Sequence, residues 1–233
     1  MREAIVLAGG FGTRLRSVVS DVPKPLAPVA GRPFLGYLLD ELHRQDYRHV
    51  VLATGYLHEK VEECFGRHYH GIAIDYAREL EPLGTGGAMV NGLQHCTEES
   101  VTVLNGDTFF GIDHGELIDF ADRRQTPLAI VLRQVPDSGR YGAVEVDADG
   151  RITAFREKDP TAGEGFINGG IYRLQRSLLD GWTVGQPFSF EKELMQQRYR
   201  EERYYAYASG AYFIDIGIPE DYARAQVDFK QRI

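Results

Sequence analysis

The 233-residue chain has only two cysteines, Cys64 and Cys96, too few for a disulfide scaffold, and that scarcity fits a reducing compartment. No apolar run approaches the ~20 residues of a membrane span. The N-terminus lacks the basic-then-apolar order of a signal peptide, so the expected location is the cytoplasm. Positive charge is also in deficit, 26 Lys plus Arg against 34 Asp plus Glu for a net charge of -8. A nucleic acid or an anionic membrane as main partner is thereby disfavoured, because both need a basic face. Any phosphate-bearing ligand must instead be held by local devices. What abounds is glycine, 26 residues against a usual share of about 7%, clustered at expected strand ends.

At 43% hydrophobic content the chain can build a core without metal or disulfide staples, and it is expected to form one domain over residues 1–233. Glu3 to Ala8 reads as a buried strand feeding a glycine loop. Pro33 opens a helical pattern with Phe34, Leu35, Leu38, Leu39 and Leu42 on one stripe. His49 to Ala53, Ile72 to Tyr76 and Val101 to Leu104 read as strands, with helices near Leu57 to Phe65 and Gly86 to Leu93. Such alternation predicts a mainly parallel sheet covered on both faces, with ligands at the carboxyl ends of its strands. After about Pro136 the rhythm changes. Ala143 to Val146 and Ile152 to Arg156 flank an Asp149-Gly150 turn and form a hairpin. Phe166 to Arg173, Tyr204 to Tyr207 and Tyr212 to Ile216 add antiparallel or mixed strands, and Pro219 opens a terminal helix with Tyr222 and Phe229 inward.

Leu7-Ala-Gly-Gly-Phe-Gly-Thr-Arg-Leu15 sets glycines 9, 10 and 12 directly after the first strand, where backbone N–H groups can turn toward an anion. It is not a P-loop, since Gly12 is followed by Thr13 and Arg14, nor a dinucleotide fingerprint, since position 15 is Leu. Pro23 and Pro25 stiffen the backbone on both sides of Lys24 and limit where its ammonium points.

These residues, with Val29-Ala-Gly-Arg-Pro-Phe-Leu35, closely resemble the signature of sugar-1-phosphate nucleotidyltransferases. The resemblance runs along nearly the whole chain. It implies a Rossmann-like three-layer α/β sandwich with a mixed, mainly parallel central sheet and a small antiparallel sugar-binding portion. Residues 1–135 would form the nucleotide-binding half, and residues 136–233 the sugar-binding half and C-terminal helix. By the same resemblance Leu7, Ala8, Gly9, Gly10, Gly12 and Thr13 line the nucleotide, Arg14 holds the triphosphate, and Lys24 sits against the reacting phosphates. Glu79-Leu-Glu-Pro-Leu-Gly-Thr85 is similar to the base-binding segment. There Pro82, Gly84 and Thr85 can lie against a flat base, while Glu79 or Glu81 accepts from guanine. Asn105-Gly-Asp107 matches a metal-binding aspartate and Asp215-Ile-Gly217 the other, a pair suited to Mg²⁺. Arg14, Lys24 and Asp107 carry the catalytic roles. Gly142, Glu157, Lys158, Asn168 and Gly169 match the sugar-phosphate side, and the two glycines after Asn168 suggest a ligand or another backbone close by.

Other features read as structural. Arg67-His-Tyr-His70 lacks matching metal ligands nearby, Asp147-Ala-Asp149 falls in the hairpin turn, the Arg203 to Phe213 aromatics suit paired strands, and Trp182 has no assigned role.

Where relatives continue with proline and threonine after Arg-Leu, this chain has Arg16-Ser-Val-Val-Ser-Asp21. That stretch and Glu81-Pro-Leu-Gly-Thr-Gly-Gly-Ala88 resemble D-glycero-α-D-manno-heptose 1-phosphate guanylyltransferases. The implied reaction is transfer of GMP from GTP to the heptose 1-phosphate, giving GDP-heptose for surface polysaccharides or glycoproteins, with Mg²⁺ as cofactor. Mannose 1-phosphate and UTP, CTP or dTTP are the alternative substrates. A non-catalytic nucleotide-sugar binding subunit and a glycosyltransferase stand as readings from other classes. A homodimer is one of the assemblies left open.

Overall fold

The computed structural model describes residues 1–10, 15, 19, 22–139, 142–156, 158–159 and 161–231. The first half alternates as expected: β1 (Arg2–Leu7), the ribbon of β2 (Pro28–Val29) and β3 (Arg32–Pro33), α1 (Phe34–Arg44), β4 (Tyr47–Thr54) and α2 (His58–Phe65). Next come β5 (His68–Tyr69), β6 (Ile72–Arg78), α3 (Gly84–Leu93), β7 (Ser100–Asn105), β8 (Thr108–Phe110), α4 (His114–Arg124) and β9 (Leu128–Val135). The remainder is the hairpin β10 (Val144–Val146) and β11 (Ile152–Phe155), the long β12 (Gly165–Gln175), a π-helical turn (Phe190–Met195) running into α5 (Gln196–Arg198), β13 (Tyr205–Ser209), β14 (Phe213–Asp215) and α6 (Pro219–Asp228).

Eight of the described strands form one sheet in the order β13-β9-β12-β7-β1-β4-β6-β5, so both halves of the chain contribute to it. The ladders β7-β1-β4-β6 and β13-β9 are parallel, while β12 runs antiparallel to both of its neighbours. The sheet is therefore mixed and mainly parallel. Successive residues of a strand point to opposite faces, and β1 shows the consequence: Ala4 and Val6 join a core with α1, α2, α4 and α6, whereas Ile5 joins a second core with α3 and the π-helical turn. Three layers result.

Helix α1 buries the five residues of the stripe, Phe34, Leu35, Leu38, Leu39 and Leu42. Pro33, expected at the first helical position, is extended at φ -55, ψ 133 and pairs with Pro28 in the short ribbon, so the helix begins one residue later. Tyr222 and Phe229 face inward as the terminal pattern requires. Among the longer elements, periodicity passes over β9 and α4. The first is the apolar run Leu128-Ala-Ile-Val-Leu132, whose residues alternate between the two cores. The second is capped by Asp113, which accepts from Gly115 and Glu116 N–H at 2.7 and 3.1 Å, a standard N-cap arrangement.

Candidate active site

The loops that follow β1, β4, β6 and β7 converge at the carboxyl ends of the sheet and wall a cleft of about 560 Å³. Their approach is close enough to require glycine. A Cβ on Gly55 would lie 2.9 Å from the Gly9 carbonyl oxygen, and one on Gly9 would lie 2.8 Å from Oε1 of Glu79. Ala8 N–H donates to Ala53 at 2.8 Å and Gly106 N–H to Leu7 at 2.9 Å, which stitches three of these loops together.

Lys24 stands on the floor. Pro23 is extended at φ -64, ψ 149, the next residues turn in a single 3-10 helix, and the Leu26 and Ala27 N–H groups close that turn at 2.8 and 3.0 Å. The ammonium donates to Oδ2 of Asp107 and lies 3.9 Å from Oδ1 of Asp215, with only 10% of the lysine side chain exposed. A two-stranded ribbon sets the pair of carboxylates. β14 pairs antiparallel with β8 so that Asp215 faces Thr108, and Ile216 N–H donates to the Asp107 carbonyl at 2.9 Å. Gly217 N–H fixes Oδ1 of Asp215 at 2.6 Å. Among the described residues no group of three side chains is arranged to hold a metal. Two carboxylates already gathered around one cation match the donor set of a hard divalent ion that completes its shell with substrate phosphate and water.

The Glu79–Thr85 loop forms the opposite wall. Burial pushes the Glu79 carboxyl up, against the opposing pull of the Leu83 N–H that donates to it at 3.1 Å. Glu81, the other candidate, is exposed. Gly84, expected near the base, and its neighbours Gly86 and Gly87 have a packing cause. Added Cβ atoms would meet the Phe188 carbonyl oxygen at 2.5 Å, the Phe188 ring at 2.1 Å and the Gln186 carbonyl oxygen at 2.5 Å. Trp182 backs that ring, with centroids 3.5 Å apart and planes at 11°.

Of the nucleotide-side residues named from sequence, Leu7, Ala8, Gly9, Gly10, Lys24, Glu79, Pro82, Gly84, Thr85, Asn105 and Asp107 all line the cleft. Gly12, Thr13 and Arg14 lie outside the described residues, as does Glu157 on the sugar side. Gly142, Lys158, Asn168 and Gly169 do not line the cleft. Lys158 is exposed. Gly142, at φ +84, tucks under the Arg156 carbonyl, where a Cβ would be 2.8 Å away. Asn168 donates to the Tyr172 hydroxyl at 2.7 Å and accepts from Gly170 N–H at 2.9 Å. The glycines after it do have close neighbours: a Cβ on Gly169 would meet the Phe110 ring at 2.6 Å and the Val131 carbonyl oxygen at 3.0 Å, and one on Gly170 would meet Asn105 Nδ2 at 2.8 Å.

The cleft also takes Gly55, Tyr56 and His58 from the loop after β4, which sequence reasoning did not assign. Their position at a strand's carboxyl end was the available signal. Cys96 lies just beyond α3, and His68-Tyr69 pairs with β6 as a short strand. Asp147 caps the hairpin turn by accepting from Asp149 and Arg151 N–H at 3.0 and 2.9 Å.

The sequence model of the Nucleotidyl transferase family matches residues 3–232. A D-glycero-alpha-D-manno-heptose 1-phosphate guanylyltransferase of Aneurinibacillus thermoaerophilus is 43% identical over 99% of this chain and 100% of its own length. A protein of the same name from Campylobacter jejuni is 42% identical over 94% of this chain and 96% of its own length. Among solved structures, HddC from Yersinia pseudotuberculosis complexed with GMP-PN superposes with a TM-score of 0.88 at 34% identity, covering 98% of this chain and 100% of that one.

Proposed function

The chain belongs to the nucleotidyl transferase family, and from that premise we propose that it transfers GMP from GTP to D-glycero-α-D-manno-heptose 1-phosphate, releasing pyrophosphate and giving GDP-heptose. The observation that carries the chemistry is Lys24 held between Asp107 and Asp215 on the floor of the strand-end cleft. The names of the two relatives matched nearly end to end support heptose and guanine as the substrate pair.

A phosphomonoester loses its second proton near pH 6, so the sugar 1-phosphate arrives as a dianion and no side chain need act as general base. One of its oxygens attacks the α-phosphorus of GTP in line. The new P–O bond forms as the bond from the α-phosphorus to the bridging oxygen breaks, and the electron pair leaves with pyrophosphate. Catalysis is then positioning and charge neutralisation. Lys24 supplies a cation at the reacting phosphates, Arg14 takes the departing pyrophosphate, and Lys158 aims the nucleophile. Asp107 and Asp215 would hold Mg²⁺, which when bound neutralises phosphate charge. Glu79 would read the guanine edge, while Asn168, Gly142, Gly169 and Glu157 would serve the sugar.

No helix among the described residues is long and apolar enough to cross a membrane, and both cysteines are free thiols. We place the reaction in the cytoplasm, its product supplying glycosyl transfer to surface glycans, and include a homodimer in the proposal, which analytical ultracentrifugation tests. For the activity, the protein and Mg²⁺ are incubated with each of five nucleoside triphosphates and a panel of sugar 1-phosphates, and pyrophosphate is measured. Preferred release with GTP and the heptose phosphate is expected. Release with mannose 1-phosphate alone would reassign the sugar, and no release with any pair would overturn the enzyme reading.

A further inference from the structure

The segment that covers the first turn of α3 does more than pack against it. Gly86 N–H donates to the Phe188 carbonyl at 3.0 Å and Phe188 N–H donates to Leu83 at 3.0 Å, so the two backbones run as a short ladder. Directly beyond, the chain enters the π-helical turn Phe190–Met195, capped by Ser189, whose hydroxyl accepts from Lys192 N–H at 3.2 Å. Turns of this type are rare and concentrate at functional sites. Here the turn presents Glu191 to the cleft wall. The Thr85 hydroxyl donates to Oε2 of Glu191 at 2.5 Å and accepts from Phe190 N–H at 3.0 Å, and Ser189 Oγ donates to the same carboxylate oxygen at 3.1 Å. Packing alone would not call for a half-buried carboxylate, because burying a charge is costly and an apolar or amide side chain would fill the space. A charge-assisted bond is the stronger and more directional alternative.

We propose that Glu191 is a positioning residue for the nucleotide, a role that rests on the function proposed above: its carboxylate locks the Thr85 hydroxyl and thereby sets the wall formed by Glu79–Gly86. It acts through Thr85, which lines the cleft, whereas Glu191 itself does not. Phe190, fully buried and edge-on to Tyr172 with ring centroids 5.4 Å apart, seats the turn independently of Glu191. Truncating the carboxylate is thus expected to free Thr85 without unseating the turn.

The test compares the wild-type protein with Glu191→Ala, Glu191→Gln, Thr85→Val and the Glu191→Ala/Thr85→Val double variant. The readings are the GTP dissociation constant by calorimetry, the KM values for GTP and sugar phosphate, kcat, and the thermal midpoint. Loss of a charged hydrogen bond predicts GTP binding weaker by about tenfold or more in Glu191→Ala. The sugar-phosphate KM and the thermal midpoint should stay close to wild type. Glu191→Gln, whose amide oxygen still accepts from Thr85, should recover most of the affinity. The double variant should be no worse than Thr85→Val, the coupling expected of one shared bond. Wild-type affinity in a folded Glu191→Ala protein, or losses that simply add in the double variant, would overturn the proposal. If the alanine variant fails to fold, the near-isosteric Thr85→Val decides alone, and unchanged GTP binding there overturns it. A wild-type protein that binds no GTP would overturn the parent reading as well, which separates the two failures.

Discussion

Nζ of Lys24 lies 3.9 Å from Oδ1 of Asp215 while it donates to Oδ2 of Asp107. One ammonium thus occupies the space between the two carboxylates proposed to hold a divalent ion. The lysine and a divalent ion would draw on the same pair of negative charges, so the two would compete for them.

Replacing Lys24 with Met keeps the bulk and removes the charge. Turnover should fall by a factor of roughly a hundred to a thousand, the range for losing one positioned stabiliser of transition-state charge. Mn²⁺ should bind the nucleotide-free variant more tightly than wild type, because its competitor is gone. Pyrophosphate release and electron paramagnetic resonance of Mn²⁺ check the two arms, and near-normal turnover would remove Lys24 from its role.

Glu79 is half-buried beside Gly9 and pushed up by that burial, whereas Glu81 is exposed. Of the two, Glu79 is the one expected to accept from guanine. Glu79→Gln should narrow the preference for GTP over ITP, which lacks the 2-amino group, and Glu81→Gln should leave it intact. Because the ionised form does the accepting, GTP affinity should decline on acidification at a pH above the ordinary carboxylate range. Competition binding with the two nucleotides across pH distinguishes the residues.

Gly86 meets the Phe188 ring so closely that an added Cβ would stand 2.1 Å from Cε2. Gly86→Ala is therefore an overpacking change, expected to cost about 1–3 kcal/mol. Phe188→Leu placed in the same protein should return part of it. Urea unfolding measures both, and an unchanged midpoint for Gly86→Ala would show that the ring moves freely.

His114 is fully buried. Tyr47 donates its proton to Thr102 at 2.7 Å, so its oxygen accepts from Nδ1–H of His114 at 3.0 Å. Nε2 of His114 has no partner among the described residues. Burial, reinforced by the Arg2 charge, pushes the imidazole down to about 4 from 6.5. Between those values the unfolded chain takes up a proton that the folded one refuses. Stability is then greatest above pH 6.5 and falls as pH drops toward 4, by about 3 kcal/mol from this group at most. Urea titrations at pH 7 and 4.5 should show a smaller loss in His114→Phe than in wild type, and an equal loss would exclude the histidine as its source.

The elements legible in the sequence are those whose burial pattern is regular along the chain. Helix α1 announces itself by a 3.6-residue stripe and β1 by a short apolar run ending in glycine. Strand β9 has an equally apolar run, but a fully buried strand carries no alternation to identify it. The loop after β4 carries no motif, so Gly55, Tyr56 and His58 enter the cleft unannounced. The glycines at 86, 87, 169 and 170 signal a close neighbour without naming it. The neighbours proved to be Phe188, Gln186, Phe110 and Asn105, side chains and carbonyls from other elements.

By itself the sequence determined the layer order, the strand-end location of the cleft and most of its nucleotide-side wall, because propensity, periodicity and short motifs act between residues near in the chain. Only the tertiary structure decided that Asp107 and Asp215 share one lysine and that Thr85 answers to Glu191. Those pairings depend on the β8–β14 ladder and on a turn folded back over α3, contacts between distant segments whose register no local pattern encodes.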